Sequence, residues 1–311
     1  MDKFSKCTIV MYHYVRPIKS SPYTQLKGLE VEGFKRQLDY LQSKYTIISA
    51  NDLIDSVTSL KKLPVNSCLL TFDDGYKDHV DYVLPILLAR GITAAFFPPA
   101  RAVLYREMLD VNSLHFILNC VDNLDALVPE MEKQALGLGV DEFELKKFKN
   151  IYCKPGRYDN ANVIYLKRML QFALPREIRS QILTTLFDKH VAINQTDFAN
   201  ELYLSLDDVK KLLDNGMYVG NHGYNHDWLN NLTLDQQKNE ITLSLDFLSQ
   251  VGARTSKWIM CYPYGAYNST TINILRSMDC VIGLTTAVGV ADLDPSNSFE
   301  LKRFDTNDFP Q

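Results

Sequence analysis

Thr71-Phe72-Asp73-Asp74-Gly75-Tyr76 follows the apolar run Val65–Leu70, which is broken at Asn66-Ser67 and reads as a short buried strand. Two adjacent carboxylates at the end of such a strand repel each other, so a cation or a shared proton is needed to keep both in place. A metal held by one carboxylate, with the other left free as a base, resolves the conflict and supplies chemistry. An ordinary strand-to-turn Asp-Asp-Gly, with Asp capping and Gly at positive φ, fits the same residues. Taken alone, the stretch leaves both readings open.

Outward from this turn, strand and helix signals alternate. Cys7–Tyr12 reads as a first strand ending at His13, and Glu32–Lys44 as a helix with Phe34, Leu38 and Leu41 at helical spacing. Tyr45–Ser49 is a second strand, and Asn51 caps a helix over Asp52–Leu60. Beyond the turn, Val80–Arg90 reads as an amphipathic helix with His79 facing out, and Ile92–Phe97 as a strand closed by Pro98-Pro99. Such alternation implies parallel strands with helices outside. From about residue 101 to 200 the signals turn helical (Val111–Val121, Phe143–Phe148, Ala161–Phe172, Pro175–His190). This predicts one barrel domain over 1–311, interrupted by a helical insertion at about 101–200 that gates substrate or serves as a dimer arm for a homo-oligomer. Alternation then resumes with a capped helix from Ser205, strands at Met217–Gly220, Trp258–Cys261 and Val281–Thr285, helices at Leu234–Leu248 and Thr271–Met278, and a last strand at Phe299–Phe304.

Composition narrows the function. Charged residues make up 23% of the 311-residue chain and its net charge is −4, so no basic field invites nucleic acid. No apolar run reaches membrane-spanning length. Cys7–Val15 is too short and too polar for a signal segment, and the six cysteines are scattered without a C-x-x-C pair. Reduced thiols and a cytoplasmic location are expected.

His222 and His226, four residues apart after a strand, can aim two imidazoles at one point. Alone they read as surface histidines near an Asn/Gly turn. Beside a strand-end Asp-Asp they complete two His and one carboxylate, the donor set of a catalytic metal site with an open position. In a parallel barrel these groups share the C-terminal strand ends. His13 should lie at the same mouth, as a substrate contact or a structural histidine.

With these motifs the sequence resembles the polysaccharide deacetylases of the NodB-homology type (carbohydrate esterase family four), over roughly residues 7–100 and 201–305. The resemblance implies a distorted parallel (β/α) barrel. It implies that Asp73 is the catalytic base and Asp74, His222 and His226 the metal ligands. Tyr262-Pro263-Tyr264-Gly265 looks like the family's third motif, in which the Tyr264 backbone N–H serves as oxyanion donor. Tyr76, Tyr262, Pro263 and His13 are the expected substrate-binding residues. The implied cofactor is a divalent metal, Zn2+ first, with Co2+, Ni2+ or Fe2+ also suited to the donors.

Three positions depart from the family pattern. Gly223 replaces a Ser or Thr after the first metal histidine, which removes a loop-fixing hydroxyl and is expected to loosen the ligands. Cys261 stands where an arginine often opens the third motif and pairs with the base. Leu301-Lys302-Arg303 replaces a Leu-x-His general acid, and an arginine holds its proton near neutral pH. Arg303 is therefore expected either to orient Asp73 from another strand or to form a rim salt bridge. The implied activity is removal of an N-acetyl or related N-acyl group from a small or oligosaccharide amino sugar in surface-polysaccharide or lipopolysaccharide biosynthesis. The alternatives are an O-acetyl sugar esterase and a catalytically silent sugar-binding barrel.

Overall fold

The computed structural model describes residues 4–311. In chain order its first elements are β1 (Lys6–Tyr12), α1 (Val31–Lys44), β2 (Thr46–Ile47), α2 (Ala50–Ser59), β3 (Ser67–Asp73), α3 (Leu84–Ala89), β4 (Ala95–Phe97) and α4 (Ala100–Tyr105). There follow α5 (Asp110–Cys120), α6 (Leu124–Gly137), α7 (Glu142–Tyr152), α8 (Ala161–Arg168), α9 (Arg176–His190) and α10 (Gln195–Leu202). The chain ends with α11 (Leu206–Asp214), β5 (Tyr218–Val219), α12 (Leu234–Gln250), β6 (Trp258–Cys261), α13 (Ser269–Ser277), β7 (Cys280–Leu284), β8 (Ala291–Asp292) and β9 (Phe304–Asp305). Among the described residues no helix is long and apolar enough to cross a membrane.

Two compact units divide the chain. Among the described residues the first combines 4–18, 27–106 and 200–311; the second combines 19–26 and 107–199. The second unit is helical, with Phe116, Phe187 and Phe198 meeting edge to face in its core and Arg179 paired to Asp110 at 2.6 Å. α6 lies outside the helices expected from the sequence: Pro129 falls inside the element and normally argues for a break.

In the first unit, β1 runs parallel to β3 from Cys7↔Ser67 to Tyr12↔Phe72, and the sheet order is β5-β4-β3-β1-β8. β2 pairs with the start of β3, and β9 pairs with β1. β6 and β7 form a separate parallel pair. Single parallel bridges, Asn221↔Met260 and Leu284↔Leu301, link that pair to the end of β5 and to the segment leading into β9. The result is a distorted parallel barrel whose ladder thins to one bridge at two seams. The last strand is shorter than expected, and β8 adds a two-residue antiparallel partner to β1 that carries no readable pattern.

Every residue of β3 is buried, as expected for a strand covered on both faces. Leu70 and Phe72 belong to the same core as Phe34, Leu38 and Leu41 of α1; Tyr12, Phe72 and Phe96 stack side by side across three strands at 4.8 Å. Leu69 packs instead with Ile9, Phe97, Ile259, Ile282 and Leu284 on the opposite face. Because strand side chains alternate, Thr71 and Asp73 share that second face with Leu69.

His79 does not face solvent. Pro85 near the start of α3 has no N–H to continue the ladder, and the preceding turn, His79–Val83, widens into a π-helix closed by Leu84 N to His79 O. That turn places His79 fully inside, against Phe72, Tyr76 and Phe96, with Nε2 donating to the His13 carbonyl at 3.0 Å. Burial pushes its pKa down to about 4 from 6.5. Between those values an unfolded chain takes up a proton that the native imidazole refuses, so stability falls as the pH drops through this window. A His79→Gln variant keeps a donor for His13 and removes the titration. Its loss of stability between pH 7 and pH 5, measured by urea unfolding, should be smaller than wild type's by about 2 kcal/mol. Equal losses in the two proteins would contradict this assignment.

Candidate active site

The site gathers where the parallel strands end. Asp73 closes β3, and the chain then turns through two consecutive left-handed residues, Asp74 at φ +70° and Gly75 at φ +67°. A Cβ at Gly75 would lie 2.7 Å from Pro98 Cβ, so both the conformation and the close approach call for glycine. His222 follows β5, Tyr262 follows β6, and Thr285 follows β7.

Asp74 is the hub. Its Oδ1 lies 3.3 Å from His222 Nε2 and 3.2 Å from His226 Nε2, and its Oδ2 accepts a 2.6 Å hydrogen bond from the Tyr76 hydroxyl. Burial opposes the Asp74 charge, yet hydrogen bonds from the two imidazoles hold its carboxyl well below the usual carboxylate range. His222 is oriented from behind: its Nδ1 donates to the Cys261 carbonyl at 2.7 Å and its Nε2 faces Asp74, and although burial lowers its pKa, Cys261 and Asp74 outweigh burial and hold it well above the ordinary value. Burial lowers the pKa of His226 and favours the neutral imidazole that a metal requires.

Asp73 is 2% exposed and faces Arg303, which is 1% exposed. Arg303 Nη1 donates to Asp73 Oδ1 at 3.0 Å, and Nη2 lies 2.9 Å from Oδ2. The guanidinium is itself fixed by Nε to the Thr285 carbonyl at 2.8 Å and by Nη1 to Thr71 Oγ1 at 3.1 Å. Burial works to raise the Asp73 carboxyl, but the Arg303 charge, helped by His222 and His13, holds it below its ordinary value. Burial this deep sets aside a rim salt bridge for Arg303.

Other expected residues fall differently. Tyr76 and Tyr262 are buried, the first against Asp74 and the second with its hydroxyl on the Phe299 carbonyl at 3.0 Å. Neither presents a ring face to solvent. Pro263 is buried too, inside the turn that carries Tyr264. Tyr264 adopts φ +57°; its ring stacks on Trp228 at 4.7 Å and covers His226 at 4.6 Å. His13 is half-buried, close enough to both carboxylates to lower their pKa values. The two residues after Gly223 meet Glu240 of α12, whose Oε2 accepts from the Tyr224 and Asn225 N–H groups at 3.1 and 2.8 Å.

The donor atoms suit a metal. One ligand atom each from Asp74, His222 and His226 lies within 4.8 Å of the others, all three side chains are buried, and two imidazoles with one carboxylate form a catalytic-type set. Asp73, His222 and Cys261 form a second such cluster. It is the poorer one, because burial pushes the Cys261 thiol up and a thiol must ionise to bind a metal.

The family model described as polysaccharide deacetylase matches residues 61–126 and 174–282, more than half of the chain. No curated protein sequence matches. Several solved structures do. Streptococcus pyogenes deacetylase PplD in complex with acetate is 19% identical with a TM-score of 0.58, over 96% of this chain and 92% of that one. IcaB from Ammonifex degensii is 18% identical with a TM-score of 0.57, over 96% and 92%. A de-N-acetylase from Aggregatibacter actinomycetemcomitans is 14% identical with a TM-score of 0.53, over 97% and 95%. At such identities the likeness is one of fold.

Proposed function

Because the chain belongs to the polysaccharide deacetylase family, we propose that it is a metal-dependent hydrolase that removes an N-acetyl or related N-acyl group from an amino sugar. The observation that carries the reading is the pairing of a three-donor cluster (Asp74, His222, His226) with a separate carboxylate, Asp73, that is bound to Arg303 and not to the imidazoles. The two adjacent acids are thereby given different surroundings, as a ligand and a base require. One structural neighbour is described as a de-N-acetylase and another holds acetate, which agrees with an acyl-cleaving site.

Asp74, His222 and His226 would hold the ion, Zn2+ or another divalent metal of similar taste. When bound, it lowers the pKa of a water molecule and polarises the acyl carbonyl. The chain's own groups do the rest. Asp73 accepts the proton of the attacking water on a carboxylate oxygen that Arg303 keeps ionised and aimed. The Tyr264 backbone N–H donates to the developing oxyanion, fixed in place by the left-handed turn and by stacking on Trp228. His13, at the end of β1, contacts the sugar. With Arg303 committed to Asp73, the proton returned to the leaving amine is the one Asp73 has just taken. This predicts slower amide cleavage than in family members with a separate acid.

The same commitment of Arg303 favours a second reading, an O-acetyl esterase, because an alkoxide departs with less acid assistance than an amine. Acetate release from N-acetylated nucleotide sugars and oligosaccharides, measured beside matched O-acetyl esters, separates the two. Faster turnover of the amides supports the N-deacetylase, and turnover confined to esters overturns it.

Tyr76 provides a further check. Burial raises its phenol pKa, so it remains a donor to Asp74 Oδ2 and leaves only Oδ1 facing the histidines. Tyr76→Phe should weaken metal binding by about 10-fold, as losing a ligand's outer partner commonly does, in a competition titration with a chromogenic chelator. Unchanged affinity would remove this role.

A further inference from the structure

Between its two imidazoles the chain takes an unfavourable path. Gly223 lies at φ +74° and His226 at φ +60°, and the latter conformation is strained for a non-glycine residue and persists only where its surroundings impose it. Those surroundings are visible on both sides of the loop. The carbonyls of Gly223 and Tyr224 accept hydrogen bonds from the backbone N–H groups of Ala100 (3.2 Å) and Arg101 (3.0 Å), where α4 begins. The N–H groups of Tyr224 and Asn225 both donate to Glu240 Oε2, at 3.1 and 2.8 Å. Asn225 Nδ2 donates to Glu240 Oε1, and Arg101 Nη1 donates to Asn225 Oδ1 at 2.9 Å. The Gly223 N–H donates to Asn221 Oδ1 at 2.9 Å.

Glu240 is 3% exposed within α12. A carboxylate is costly to bury, and it survives where donors replace the water it loses. Here two successive backbone amides and a side-chain amide do so, and all belong to the loop that carries the histidines. Serine or threonine at position 223 would bring a hydroxyl to this loop. Glycine brings none, and Glu240 is the group that ties down the next two residues.

We propose that Glu240 is a positioning residue for the metal site: from α12 it holds residues 222–226 in the conformation in which both Nε2 atoms converge on Asp74. It touches neither the ion nor the substrate. The proposal rests on the metal-site reading above.

The test is a cobalt(II) titration of metal-free wild type, Glu240→Gln and Glu240→Leu, following the visible d–d bands and the affinity, with Asp74→Asn as a control. Glutamine keeps the volume and one acceptor but turns an NH2 toward N–H groups; leucine removes every acceptor. Wild type should bind one cobalt per chain. Affinity should fall about 10- to 100-fold in the leucine variant and by a smaller factor in the glutamine variant, with altered bands in both. Melting curves establish which variants fold, and the glutamine variant decides the matter if the leucine variant does not. A lowered melting temperature with wild-type affinity and bands would make Glu240 merely structural and overturn the proposal. Failure of wild type itself to bind cobalt would instead overturn the metal-site reading, and this inference with it.

Discussion

Replacing Asp73 by Asn is expected to lower turnover about 10²- to 10⁴-fold while fold and metal content stay as in wild type, because a positioned general base contributes roughly that much. The substitution is nearly isosteric at a position 2% exposed, so packing is preserved. The amide oxygen can still face Arg303, which donates to Asp73 Oδ1 at 3.0 Å. What is lost is the capacity to take a proton. The ligand cluster of Asp74, His222 and His226 uses none of the atoms of Asp73, so bound metal should be unaffected. Steady-state rates with metal quantified in the same samples check this. A variant that turns over within a few-fold of wild type would move the base elsewhere.

Replacing Arg303 by Met should cost about 3–5 kcal/mol of stability at neutral pH, because it leaves a buried carboxylate without its counter-charge. The sign of its pH dependence follows from Asp73. In wild type the folded carboxyl is held below its unfolded value, so its contribution is present above that value and is lost as pH falls through the folded one. Without Arg303 burial prevails and the folded pKa rises. The deficit should therefore be largest at neutral pH and shrink in acid, as the carboxyl takes up a proton in the variant. The acidic limb of the kcat/KM profile should move to higher pH for the same reason. Arg303→Lys, which restores a charge but not the two-pronged geometry, should recover part of each effect. Urea unfolding at pH 7 and pH 4 with a pH–rate profile tests the pair; wild-type values in the methionine variant would contradict it.

Much of this arrangement was legible because it is local. The strand-end Asp73-Asp74-Gly75 and the four-residue spacing of His222 and His226 are written in short stretches, and alternating strand and helix signals place both at one end of a parallel barrel. What escaped depends on long-range contact or on a small rotation. Arg303 could be named as a candidate partner of Asp73, but its burial depends on a neighbour 230 positions away. Glu240 sits in the polar run Asp235-Gln236-Gln237-Lys238-Asn239-Glu240, in which nothing local marks Gln237 and Glu240 as the buried positions. His79 was turned inward by a π-helical turn that ordinary helical periodicity does not anticipate. Tyr76 and Tyr262 carry rings suited to a sugar, and only the structure shows that their hydroxyls are spent on Asp74 and on the Phe299 carbonyl.

The most direct measurement is acetate release from N-acetylated oligosaccharide by protein stripped with a chelator and then given one equivalent of Zn2+, beside Asp74→Asn treated the same way. No release is expected from stripped protein, recovery is expected with one bound ion per chain, and none from the variant at any metal level near stoichiometry. Undiminished release after stripping would contradict this, as would a chain that binds its one ion and frees acetate from neither N- nor O-linked substrates.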